Sequence, residues 1–85
     1  MLAGSLVNIG YLRQQQGKFD EARTSYNKAL KIYEDMANIE GVGIVYNNLA
    51  DVSRESGNYD EAIDWMSKSL DISIAANDLQ QMLDN

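Results

Sequence analysis

The chain has 85 residues, room for one small domain, and contains no cysteine, histidine or proline. Those absences exclude disulfides and thiolate metal sites and remove the commonest general base, while a 45% hydrophobic content suits an all-helical fold. A formal net charge of −6 disfavours phosphate backbones and anionic membrane surfaces, so neither nucleic acid nor membrane is an expected partner. No apolar run is long enough to span a bilayer, and Met1 to Leu12 lack the basic start of a secretory signal, so the expected setting is cytoplasmic.

In chain order, Leu6, Ile9, Gly10 and Arg13 follow helical spacing and predict a first helix. Gly17 ends it, because a glycine just past a helical run takes the left-handed conformation that closes the last turn. Phe19 opens a second helix, with Asp20 and Glu21 at the positive end of its dipole. Its buried stripe is Ala22, Tyr26, Ala29, Leu30 and Tyr33. The segment Met36 to Gly41 joins this hairpin to the next, with Asn38 as a helix cap. The join has no proline, so helix running straight through it is a competing expectation, one that Gly41 and Gly43 weaken. Tyr46, Leu49, Ala50 and Ser53 predict the third helix, stopped by Gly57. Tyr59, Ala62, Met66, Ser69 and Leu70 predict the fourth, and Met36, Met66 and Met82 read as core filler. Asp78 is the counterpart of Asn38, and Leu79, Met82 and Leu83 after it share one helical face.

The second half repeats the first. Gly17-Lys18-Phe19-Asp20-Glu21-Ala22 returns forty residues later as Gly57-Asn58-Tyr59-Asp60-Glu61-Ala62. The same register pairs Asn8 with Asn48, Gly10 with Ala50, and Leu30 with Leu70. Gly10 and Ala50 fall where the helices of each hairpin cross, opposite Ala22 and Ala62, and small side chains there let the axes approach. The expected fold is all-α, an α-α superhelix of two helical hairpins plus a short C-terminal partial helix. Repeat 1 covers about 2–37, repeat 2 about 38–77 and the partial helix about 78–85 of a single domain, 1–85.

Leu6-x2-Ile9-Gly10 followed by Gly17-x-Phe19-x2-Ala22-x3-Tyr26-x2-Ala29 resembles the tetratricopeptide repeat signature. So does Tyr46-x2-Leu49-Ala50 followed by Gly57-x-Tyr59-x2-Ala62. Arg13, Ser53 and Met66 depart from it, standing where the family usually has an aromatic, and Ser69 replaces an alanine. The forty-residue period exceeds the commoner one of about 34. It resembles the longer-period subclass found in kinesin light chains and regulators of G-protein signalling. The resemblance implies that the first helices of successive repeats line a concave groove that takes a protein or peptide partner. On this chain the groove candidates are Val7, Asn8, Tyr11, Gln14, Asn47, Asn48, Asp51 and Glu55, with Val7, Asn8, Tyr11, Asn47, Asn48 and Asp51 the expected binding set. Asn8 and Asn48 stand out because an amide both donates and accepts, and so grips a peptide main chain whatever its side chains. The competing role for these asparagines is structural, as caps or loop partners. The resemblance also offers a clamp for a terminal carboxylate, but Val7 and Ile44 stand where it would need basic residues.

Asp20-Glu21 and Asp60-Glu61 recur in one helix-start context, which accounts for them without catalysis or a bound cation. No nucleophile elbow, phosphate-cradling glycine loop or zinc spacing occurs. A non-catalytic chain with no cofactor and no metal is expected. Trp65 replaces Ser25 in the repeat register, so it either anchors an interface or packs on the final helix.

Repeat stacks usually need about three repeats to cover their apolar sides, and this chain carries two and a fraction. The last segment folds back as a cap, or the chain is part of a longer solenoid, or two chains complete each other as a homodimer, open and swapped in one version. Leu6, Leu79 and Leu83 are the residues expected to mediate self-association.

Overall fold

The computed structural model describes the backbone of residues 2–84 and the side chains of residues 2–72. It contains four helices, α1 (Leu2–Gln15), α2 (Phe19–Asp35), α3 (Ile39–Glu55) and α4 (Tyr59–Asp84), packed as two hairpins, α1 with α2 and α3 with α4. The hairpins stack through α2 and α3, as the forty-residue register predicts.

Three turns of one design punctuate the helices. At each, the second residue past the helix bonds back three positions and the third bonds back five: Gly17 to Gln14 and Lys18 to Arg13, Ala37 to Glu34 and Asn38 to Tyr33, Gly57 to Arg54 and Asn58 to Ser53. This pattern needs a left-handed residue in the middle. Gly17 and Gly57 supply it with φ of 78° and 88°. Ala37 adopts φ of 53° without a glycine's freedom. Asn38 then caps α3, its side chain accepting a hydrogen bond of 3.1 Å from the Gly41 amide. The join between hairpins is therefore a closed turn, not a continuous helix.

The core lies where α2 and α3 meet. Ala22, Tyr26 and Ala29 of α2 pack against Val45, Leu49 and Val52 of α3, with Leu6, Val7, Phe19, Leu30, Tyr33 and Trp65 around them. Gly10 of α1 is essential to this packing. A Cβ there would sit 2.6 Å from the Tyr26 ring, so only glycine lets α1 press onto it. Gly41 plays the same part against the Tyr33 ring. Trp65 packs inward, tilted on Tyr46 with centroids 5.5 Å apart and the Lys68 ammonium 4.6 Å from its ring.

The structure departs from the sequence reading in three places. First, α4 continues to Asp84, so the separate partial helix expected at about 78–85 is the end of α4. The turn at 36–38 folds α3 back over Tyr33 through Gly41; forty residues on, these two positions are Ser73 and Gln81, which lack that glycine–ring fit. Second, Met66 and Leu70 are exposed although their counterparts Tyr26 and Leu30 are covered, because among the described residues nothing lies over α4 as α3 lies over α2. Third, Met36 is exposed rather than core filler, as is Met66, while Met82 lies outside the described side chains.

Replacing Ala37 with glycine should raise thermal stability by a few degrees. It removes a left-handed backbone cost of about 1–2 kcal/mol, part of which returns as extra freedom in the unfolded chain. Gly10→Ala should do the opposite in the same melting experiment. Overpacking against Tyr26 costs about 1–3 kcal/mol, and the helix-propensity gain of about 1 kcal/mol offsets only part of it.

Candidate functional site

The open face shared by α1 and α3 is built from positions that repeat. Asn8, Tyr11 and Gln15 form one stripe of α1, and Asn48, Asp51 and Glu55 form the matching stripe of α3. All but Asn48 are exposed, and Asn48 is half-buried. Side-chain hydrogen bonds by asparagine involve Asn38, Asn47 and Asn58. Among the described residues neither Asn8 nor Asn48 makes one.

Beneath these stripes a polar chain rises from the core. The hydroxyl of Tyr26, a residue with no exposed surface, donates to Gln14 Oε1 at 2.8 Å. Gln14, itself buried, donates from Nε2 to Glu55 Oε1 at 3.0 Å. The chain ties α2, α1 and α3 together at one point, and each buried polar atom in it finds a partner. Burial raises the Tyr26 pKa from 10.0 to about 12, and the nearby carboxylates of Asp51 and Glu55, with Tyr11, add to the rise. The hydrogen-bond chain ends at Glu55, at the mouth between α1 and α3, with Tyr11 and Asp51 on the same helices. The electrostatic character of the mouth is acidic, although Arg54 Nη2 lies 3.3 Å from Asp51 Oδ1.

The expected groove residues divide. Asn8, Tyr11 and Asp51 are exposed and Asn48 is half-buried on the matching stripes of α1 and α3, and Asp51 also lines a depression with Asn47 and Met66. Val7 turns inward and packs against the core cluster. Asn47, its counterpart, faces the end of the stack, where its Oδ1 accepts from Ser69 Oγ at 2.9 Å beside Met66 and Leu70. The reason is helical rotation: each lies one residue, about 100°, from the asparagine stripe, on the side where the next hairpin stacks. Gln14 and Glu55, also expected in the groove, are brought together here, but Glu55 is exposed at the mouth while Gln14 is buried beneath it. The signal for that burial is weak, since a glutamine on a helix gives no sign of being buried until the helix above it is placed. Leu6 is half-buried against the core, so it is not part of an open face; Leu79 and Leu83 lie outside the described side chains.

A family model described as tetratricopeptide repeat matches residues 1–75. The chain belongs to the tetratricopeptide repeat family. Tetratricopeptide repeats are in general protein–protein interaction modules and typically non-catalytic. A search of curated proteins finds no match to this tetratricopeptide chain. Among the described residues no helix is long and apolar enough to cross a membrane.

Because Tyr26 has a higher pKa folded than unfolded, its contribution to the stability of the tetratricopeptide fold is fully present below pH 10 and is lost as pH rises through about 12. Urea unfolding midpoints measured across that window should fall less steeply for Tyr26→Phe than for the parent chain. Equal slopes would mean that the hydroxyl ionises as freely in the fold as out of it.

Proposed function

We propose that this chain is a non-catalytic adaptor that holds a peptide or protein segment along the face shared by α1 and α3. Asn8 and Asn48 hydrogen-bond the segment's main chain, Tyr11 packs against it, and Asp51, with Glu55 beside it, favours a basic side chain in the partner. The observation that carries the reading is the state of the two asparagines: repeated forty residues apart on the open face, and bonded to no described residue of the fold. A structural asparagine looks like Asn38, whose side chain is committed to its own helix start. The forty-residue period and this asparagine pair agree with the longer-period subclass, and a cytoplasmic setting belongs to the same reading.

A second reading, self-association into a homodimer or larger species, is favoured by a separate observation. Large apolar side chains are exposed at both ends of the stack, Leu2 and Leu12 on α1 and Ile63, Met66 and Leu70 on α4.

The groove reading is tested by selecting binders from a random peptide library and titrating them against variants. Asn8→Ala and Asn48→Ala should each weaken a selected peptide about threefold to tenfold, the worth of one or two main-chain hydrogen bonds, with helicity unchanged by circular dichroism. Asp51→Lys should remove the preference for basic sequences. Selected peptides that bind all three variants as tightly as the parent chain would sink the groove assignment.

A further inference from the structure

The two ends of the stack are related by the repeat. Inside the molecule, α3 covers α2 with a stripe at Val42, Val45, Leu49 and Val52, all buried. Forty residues earlier the same stripe on α1 is Leu2, Ser5, Ile9 and Leu12. Every one of these is exposed, Leu2 at 69%, Ile9 at 43% and Leu12 at 58%. The surface that receives α3 includes Tyr26, Ala29 and Leu30; its counterpart on the second hairpin is Met66, Ser69 and Leu70. These line an open depression of about 590 Å³ together with Asn47 and Ile63. Thus one end of the molecule presents the covering half of a junction whose receiving half is presented at the other end.

We propose that copies of this chain associate head to tail, with the α1 stripe of one copy seated on the α4 face of the next and repeating the internal α2–α3 junction. The proposal rests on the self-association reading and gives it a geometry. Charge supports this pairing over head-to-head or tail-to-tail contact. No carboxylate occurs from Met1 to Lys18, and the charged side chains there are Arg13 and Lys18. Along the described side chains of α4, Asp60, Glu61, Asp64 and Asp71 stand against Lys68 alone. Arg13 and Glu61 are each paired within the molecule, with Glu21 and Arg23, but two acidic tails still repel, whereas a tail meets no carboxylate on α1.

The copy-to-copy junction is weaker than the internal one. Ser5 replaces Val45, Asn47 replaces Val7 and Ser69 replaces Ala29, so three apolar positions become polar. Asn47 and Ser69 already satisfy each other, which lowers the cost of covering them. Met66 is a flexible substitute for the Tyr26 ring and adapts to the less apolar stripe it meets. The expected behaviour is reversible, concentration-dependent growth. Because the two contacting surfaces differ, the contact does not close on itself at a dimer.

The experiment is light scattering over a hundredfold concentration range on the parent chain, on Leu12→Glu, which blocks the head, and on Leu70→Glu, which blocks the tail. Both positions are exposed, so circular dichroism should show each variant folded. The parent chain should rise in mass beyond a dimer, and each variant alone should stay monomeric. An equimolar mixture should stop at the mass of a dimer, because one intact head and one intact tail remain. A parent chain that stays monomeric throughout overturns self-association altogether. A parent chain that stops at a dimer, or either variant pairing with itself, leaves self-association standing and overturns the head-to-tail geometry.

Discussion

The structure depends on one close approach, that of α1 to the ring of Tyr26 at Gly10. With no side chain at Gly10, α1 comes down onto α2, and the ring is enclosed between α1, α2 and α3. Burial of a large aromatic ring is a substantial fraction of the apolar driving force available to so short a chain. The same placement carries the Tyr26 hydroxyl to the edge of the shared face, where Gln14 and then Glu55 continue the hydrogen-bond chain. Core and candidate site are thus two ends of one side chain. The hairpin angle that the glycine permits also sets where the two asparagine stripes lie.

The forty-residue repeat does not make the two hairpins equivalent. Tyr26 has become Met66, Val7 has become Asn47 and Ala29 has become Ser69. Each change falls on the side of the hairpin that faces the next unit, and none on the turn, where Gly17 and Gly57 keep the same left-handed geometry. Local turn chemistry is satisfied within a few residues, so the backbone pattern recurs at all three turns even where Ala37 stands in for glycine. A stacking face is satisfied by whatever covers it, so its composition follows its neighbour. The first hairpin is covered by α3 and is apolar; the second is half polar and open.

The two proposed interaction modes use different surfaces. The shared face of α1 and α3 is polar, acidic and supported by a satisfied hydrogen-bond chain, which suits reversible recognition of a segment. The ends of the stack expose large apolar side chains, which suits addition of like units. In the proposed stacking Asn8, Tyr11 and Asn48 lie outside the α1 stripe and the α4 face, while Asp51 borders the α4 face beside Asn47 and Met66.

Much of this was determined by the sequence alone. The repeat register, the four helices, the stops at Gly17 and Gly57, the cap at Asn38 and the family all follow from local spacing and conformational preference, which act over a few residues. Only the tertiary structure decided which way neighbouring residues face once the hairpins stack: that Val7 goes to the core while Asn8 stays out, that Gln14 is buried and bonded, and that Leu6 is covered while Leu12 is open. It also decided that α4 runs on to Asp84 where a repeat-based reading ends the helix. The physical reason is that one residue turns a helix by about 100°, so a shift of one position moves a side chain from groove to core, and the axis of rotation is set by packing against a partner helix that may be forty residues away in sequence.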